Sequence, residues 1–254
     1  MPLSISPANS LRGRSDISQP LLHVAIKKRL ESGKSGSFTL DVTFDAVEGI
    51  TILFGQSGSG KTTTLRAIAG IVTPDSGRIS IAEEIYFDST TGANLSIQKR
   101  RVGYVFQDYA LFPHMTAEQN VAYGIKDNGA PGASKLERAR AMLAVFKIEH
   151  VRQRYPQNMS GGEQQRTALA RALASDPAVV LLDEPLSAVD AETRRKLLDE
   201  VVLAQERVKI PFIYVTHNTT EAIRLGTQVV ILREGSVNRT GPPSEVFDRS
   251  NNER

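Results

Sequence analysis

From Gly49 the chain reads Gly-Ile-Thr-Ile-Leu-Phe, then Gly-Gln-Ser-Gly-Ser-Gly-Lys-Thr, then helix-forming residues as far as Gly70. An apolar run of strand length, a glycine-rich turn and a helix from about Lys61 to Ala69 make a strand–loop–helix unit, and that order requires an α/β fold with a buried strand. The turn, Gly55 to Thr62, has four residues between Gly55 and Gly60 and then Lys-Thr, which is the spacing of a phosphate-binding loop. Glycines let the backbone curl so that its N–H groups face phosphate oxygens. The helix N-terminus adds positive potential, a lysine reaches the β and γ phosphates, and a threonine ligates Mg²⁺. The cradle is thus assigned to Gly55, Gln56, Ser57, Gly58, Ser59, Gly60, Lys61, Thr62 and Thr63. A merely flexible Gly/Ser loop would not need the strand before it and the helix after it.

The rest of the chain supplies a sheet for that unit. Residues 1–20 mix Ser, Pro, Asn and Arg without apolar periodicity and read as a disordered lead-in. Leu21 to Ile26 and the alternating Phe38, Leu40, Val42 and Phe44 read as half-exposed antiparallel strands, divided by a loop over Glu31 to Gly36. Short strands are predicted at Arg78 to Ile81, Ile85 to Phe87 and Val102 to Phe106, after a turn at Pro74 to Gly77. Thr116 with Gln119, and Ser134 with Glu137, have capping-box spacing and predict two helix starts around the loop at 127–133. From Ala178 the order is strand (to Leu182), helix (Ala191 to Arg207), strand (Phe212 to Val215), helix (Thr219 to Leu225), strand (Gln228 to Leu232). Buried strands alternating with helices predict a mainly parallel sheet covered on both faces.

Bulk properties exclude more than they assign. The 31 basic and 28 acidic residues nearly cancel, leaving +3, so charge points neither to nucleic acid nor to an acidic tail. The chain has no cysteine, which removes disulfides, thiolate nucleophiles and thiolate zinc sites and fits a reducing compartment. No apolar run approaches the roughly 20 residues needed to cross a bilayer, and none resembles a secretory signal, so a membrane location has to come through a partner.

A phosphate loop alone leaves kinases, GTPases and many ATPases open. Asp183 and Glu184 narrow the choice, because they end the run Val179-Val-Leu-Leu182 and so stand at the C-terminal edge of a parallel sheet, where ligands bind in open α/β folds. Asp183 can hold Mg²⁺ through water, and Glu184 can orient the attacking water or accept its proton. The segment Met159-Ser-Gly-Gly-Glu-Gln-Gln-Arg166, with Gln107, Asp190 and His217 in the same order along the chain, then resembles the ATPases of ATP-binding cassette (ABC) transporters. Singly these residues have bland readings: Ser160 and Glu163 as a capping box, Gln107 as a loop amide, Asp190 as a helix cap, His217 as a strand-end imidazole. Together, in family order, they do not.

The resemblance covers about residues 21–248 and implies an α/β P-loop NTPase core with a mainly parallel sheet, an antiparallel β subdomain and an inserted α-helical subdomain at about 108–165, in one cassette over 21–254. It implies ATP and Mg²⁺ as ligands, with Thr62, Gln107 and Asp183 around the metal and Lys61, Gln107, Glu184 and His217 in catalysis. Ser160, Gly161, Gly162 and Glu163 are expected to meet the γ-phosphate of ATP held by another subunit, with Asp190 at the interface near Ser187. The partner is a second copy or a second ABC ATPase, and two chains sandwich two nucleotides. Permease subunits in the membrane and, indirectly, a periplasmic or extracellular substrate-binding protein complete the set of partners, with no nucleic acid among them. The location is the cytoplasmic face of the inner membrane. Glu48 to Thr63 and Lys99 to Ile125 look most like bacterial molybdate and other oxyanion importers, while sulfate, iron, polyamine and sugar importers are the neighbouring readings. Soluble ABC ATPases acting on DNA or ribosomes usually carry coiled-coil insertions or a second cassette, and neither occurs here.

Three departures from the family pattern stand out. The aromatic residue that often stacks on adenine after the first strand is missing, and Lys27, Lys28 and Arg29 stand there instead, of which Arg29 could stack as a planar cation. Met159, Glu163 and Val189 replace Leu, Gln and Leu. The sequence also stops at Arg254 where many importer ATPases continue into a regulatory β domain, so that regulation is either missing or truncated away.

Overall fold

A computed structural model describes residues 21–31, 37–125, 134–187, 189 and 191–248. The expectations for residues 1–20, for the loop at 127–133 and for Asp190 therefore lie outside the described residues. The strands are β1 (Leu22–Glu31), β2 (Ser37–Ala46), β3 (Gly49–Phe54), β4 (Ser76–Ile81), β5 (Glu84–Asp88), β6 (Ala93–Asn94), β7 (Val102–Val105), β8 (Val179–Asp183), β9 (Pro211–Thr216), β10 (Gln228–Arg233) and β11 (Ser236–Gly241). The helices are α1 (Lys61–Ala69), α2 (Ala117–Gly124), α3 (Lys135–Val145), α4 (Gly161–Ala174), α5 (Ala191–Val208), α6 (Thr219–Leu225) and α7 (Pro243–Val246).

One sheet of eleven strands runs in the order β6-β5-β4-β1-β2-β11-β10-β3-β9-β8-β7. From β10 to β7 all pairings are parallel, and from β6 to β2 all are antiparallel. Side chains along a strand alternate between faces, so the parallel strands feed two cores. Ile50, Ile52, Val180, Leu182, Phe212 and Tyr214 enter one, together with α2, α4 and α5 residues. Leu53, Val179, Leu181, Ile213 and Val215 enter the other, with α1 and the antiparallel strands. Burial on both faces is why these segments read as continuous apolar runs.

Besides β6 and α7, which the sequence reading does not predict, two elements differ from it. β1 extends past Ile26 to Glu31, because Lys27 to Glu31 stay in register with β2 and Lys27 pairs across the strands with Asp41 at 2.8 Å. The backbone ladder with β2 and the Leu30–Phe38 cross-strand pair carry that end, and the exposed ion pair adds little. β11 has no apolar pattern, and it is set by a two-residue hairpin loop in which Glu234 (φ 50°) and Gly235 (φ 84°) are both left-handed. This is the turn that matches strand twist, usually written Asn-Gly or Asp-Gly. A side chain at Gly235 would meet the Thr39 carbonyl at 2.0 Å, so β11 can close against β2 only there.

All three capping boxes whose spacing the sequence shows are present, at Thr116/Gln119, Ser134/Glu137 and Ser160/Glu163. α2, α3 and α4 pack on one another beyond the β7 edge.

Candidate nucleotide-binding site

β3 delivers the chain into the loop, and the glycines shape it. Gly60 caps α1 at φ 103°, and a Cβ there would lie 2.4 Å from Leu40 Cδ1. Gly58 is left-handed at φ 81° and faces open space. Lys61 is buried, and its Nζ donates to the carbonyls of Gly55 and Gln56, both at 2.8 Å. Burial lowers its pKa, while the charges of Glu184 and Asp183 act the other way. The ammonium therefore sits at the mouth of the loop with two of its three donors engaged. Ser59 Oγ is buried with no hydrogen-bond partner among the described residues. A buried hydroxyl without a partner beside unpaired helix N-terminal N–H groups is a place that phosphate oxygens complete.

Thr62 opens α1 pointing at the end of β8, where its Oγ1 donates to Asp183 Oδ1 at 2.9 Å. Tyr104 on β7 donates its hydroxyl to the other oxygen, Oδ2, at 3.1 Å. Its phenol is pushed well up, first by burial and then by the Asp183 charge, so it remains a donor. No cluster of three or more His, Cys, Asp or Glu that could hold a metal occurs among the described residues. A hydroxyl and one carboxylate suit a cation that keeps its waters and takes its other ligands from phosphate, as Mg²⁺ does.

Glu184 follows in the left-handed region, at φ 44°, and its N–H donates to the Val215 carbonyl at 3.2 Å. That turn brings its carboxylate to 3.3 Å from His217 Nδ1, just past the end of β9. Behind them lies a buried polar group. Glu221 accepts from Thr216 Oγ1 at 2.7 Å and from the Tyr214 hydroxyl at 3.1 Å, and Arg194 stands 3.6 Å from its other oxygen. Arg194 also donates to the Val189 carbonyl at 2.8 Å. The loop after Glu184 and the strand before His217 are thereby held to one another. Nothing local in the sequence signals this network.

Gln107 is exposed just after β7, two positions past Val105. Beyond it Phe112 is half-buried against Tyr123, ring centroids 4.6 Å apart, with the Arg171 guanidinium 5.6 Å from its own ring centroid. Asn120 fixes this segment, accepting from the Phe112 N–H and donating to the carbonyls of Phe112, Met115 and Thr116. Beside it, His114, Met115, Gln119, Ala122, Tyr123 and Leu136 line an open groove of about 350 Å³.

Ser160 to Glu163 start α4 elsewhere on the surface. Their side-chain bonds run between Ser160 and Glu163 and on to His150, not to the phosphate loop. The structure thus brings Lys61, Thr62, Asp183, Glu184 and His217 together, while the side chains of Ser160 and Glu163 bond to one another and to His150 and not to that group. Near the adenine position expected from the sequence, Lys27 pairs with Asp41 and Lys28 with Asp75 at 2.6 Å, while the Arg29 side chain is exposed.

A phosphate loop between a central parallel strand and its helix, with an Asp-Glu pair at the end of the next strand but one, defines a P-loop nucleotide-binding domain. Residues 39–187 match the family model described as ABC transporter, and the chain belongs to that family. It is 41% identical over 215 residues to the molybdenum import ATP-binding protein ModC of Brucella abortus (strain 2308), covering 85% of this chain and 59% of the relative. It is 40% identical over 233 residues to the spermidine/putrescine import ATP-binding protein PotA of Shigella boydii serotype 4 (strain Sb227), covering 92% and 60%. The chain spans about three-fifths of the length of these curated relatives. Among solved structures, the dimeric post-hydrolysis state of the ATP-binding cassette MJ0796, bound to ADP and Pi, superposes with a TM-score of 0.71 at 28% identity, covering 87% of this chain and 98% of that one.

Proposed function

We propose that this chain binds MgATP on the Gly55–Thr63 loop and hydrolyses it to power import through a membrane permease. The observation that carries the reading is the Thr62–Asp183 contact at 2.9 Å beside Lys61, with Glu184 and His217 paired at 3.3 Å. Lys61 and the α1 N-terminus bind the β and γ phosphates, turning the lysine from its loop carbonyls to the ligand. Thr62, Asp183 and Gln107 would hold Mg²⁺, and the bound ion would supply positive charge against the phosphoryl oxygens. Glu184 orients the attacking water and takes its proton, and His217 contacts the γ-phosphate. The rate gain comes from positioning and electrostatics. Arg29 stacks on adenine in place of an aromatic residue.

Ser160 and Glu163 make their side-chain bonds with one another and with His150 and not with their own chain's loop, which suits a head-to-tail dimer where each signature, helped by Asp190, closes the other chain's ATP. The MJ0796 cassette, described as dimeric, supports that arrangement. In this reading residues 21–254 form one cassette with a helical insertion at about 108–165, and the Phe112 segment and its groove receive the permease. No helix among the described residues is long and apolar enough to cross a membrane, so the chain reaches the cytoplasmic face of the inner membrane through those permease subunits, with a substrate-binding protein acting outside.

The test of the chemistry is Glu184→Gln. It should retain MgATP and slow hydrolysis about 100-fold or more, about 2.7 kcal/mol of barrier. Single-turnover hydrolysis near the wild-type rate would overturn the assignment. For the cargo we favour molybdate or a related oxyanion, supported by the ModC likeness; the PotA likeness at similar identity favours a polyamine as the second reading. Deleting the gene and measuring uptake of nanomolar molybdate and of spermidine separates them, since only the true cargo's uptake falls.

A further inference from the structure

The third capping box contains a charge that works against the task given to it. Glu163 Oε2 accepts from the Ser160 N–H at 2.7 Å and from the Ser160 hydroxyl at 2.9 Å, so the hydroxyl proton is committed to a carboxylate. A glutamine at that place, the commoner residue of the signature, would cap without charge. Here an anion occupies the first turn of the helix whose N-terminus is to meet a triphosphate, and like charges at close range repel. The other oxygen, Oε1, lies 3.0 Å from His150 Nε2. An ionised carboxylate only accepts, so Nε2 is the donor. His150 stands on a single 3₁₀ turn, Glu149–Val151, ahead of the signature; its side chain is 59% exposed, while that of Glu163 is 14% exposed. Burial pushes the Glu163 pKa up, but the bonds from Ser160 and His150 outweigh it and keep the carboxyl ionised at neutral pH.

We propose that His150 is a positioning residue of the signature: by donating to Oε1 of Glu163 it draws the carboxylate back, so that the Ser160 hydroxyl can turn from Glu163 to the γ-phosphate bound by the other subunit. The inference rests on the dimer reading above and adds a residue outside the signature segment. Its specific consequence is that His150 matters because residue 163 is Glu. Replacing Glu163 by Gln removes the charge and with it the need for the imidazole.

The experiment measures ATP-driven dimerisation of the full chain by sedimentation, in a Glu184→Gln background, alongside binding of a fluorescent ATP analogue to dilute monomer. His150→Ala should weaken dimerisation about tenfold, about threefold at each of the two sites, and leave analogue binding unchanged. His150→Gln, which keeps an N–H donor, should recover much of the loss. In a Glu163→Gln chain, His150→Ala should have no effect. Equal weakening by His150→Ala in the native and the Glu163→Gln chains, or no weakening in either, would overturn the proposal. If Glu184→Gln alone stays monomeric at saturating ATP, the sandwich reading fails first, and the role of His150 with it.

Discussion

Lys61 has a partner in the structure before any phosphate arrives. Its ammonium bridges the carbonyls of Gly55 and Gln56, so the residue expected to bind nucleotide also holds the curl of the loop. Lys61→Ala should therefore lower stability without ATP, by about 1–3 kcal/mol for the buried Gly55 carbonyl that loses its partner, measured by urea unfolding; the Gln56 carbonyl keeps the Ser59 N–H. A variant as stable as wild type would show that the loop keeps its shape unaided. Asp88 gives a second residue-scale expectation. The Thr90 hydroxyl and amide hydrogen bonds hold its carboxyl below the usual range despite opposing desolvation, with the Thr91 amide and Arg78 adding to them. A depressed carboxylate stabilises the fold above its ordinary pKa and loses that contribution as pH falls through the lowered value. The stability gap between wild type and Asp88→Asn should thus be full above about pH 5 and shrink toward pH 3.

Among the elements, α1 is held at its far end by a residue from outside it. Arg100 donates to the carbonyls of Ala67 and Ile68 at 2.8 Å, and also to those of Leu95 and Tyr86. Gly70 is left-handed at φ 83°, and a Cβ there would lie 2.8 Å from the guanidinium. Arg100→Leu should cost about 3 kcal/mol in unfolding free energy by orphaning the carbonyls of Ile68 and Leu95, those of Ala67 and Tyr86 keeping the N–H groups of Gly70 and Leu95, and should weaken ATP binding because α1 carries Lys61 and Thr62. Unchanged stability by chemical denaturation would refute this. Such contacts mark the limit of reading from sequence. The phosphate loop, the Asp183-Glu184 pair and the capping boxes are legible because each is a local spacing with its own physics. β11 is not, since Ser236 to Gly241 offers one valine and a Glu-Gly turn. Arg100, Tyr104, His150 and the Arg194–Glu221 pair are not either, because their partners lie far along the chain and meet only through the fold.

At the scale of the whole molecule, the parallel half of the sheet separates two cores and presents β3, β8 and β9 as adjacent strands. The phosphate loop, Asp183 and His217 are neighbours because those strands are, although their segments are widely spaced along the chain. This shared edge also fixes the backbone of Glu184 through the Val215 carbonyl in a conformation that glutamate disfavours. Left-handed backbone costs an ordinary side chain about 1 kcal/mol, and Asn tolerates it better. Glu184→Asn should accordingly raise the melting temperature by about 2–4 °C while hydrolysis falls by about 100-fold or more. An unchanged or lower melting temperature would dismiss the trade-off. If it holds, the protein most resistant to heat is one that no longer turns over, and selection on this sequence has kept a weak point in the fold at the carboxylate proposed to carry the chemistry.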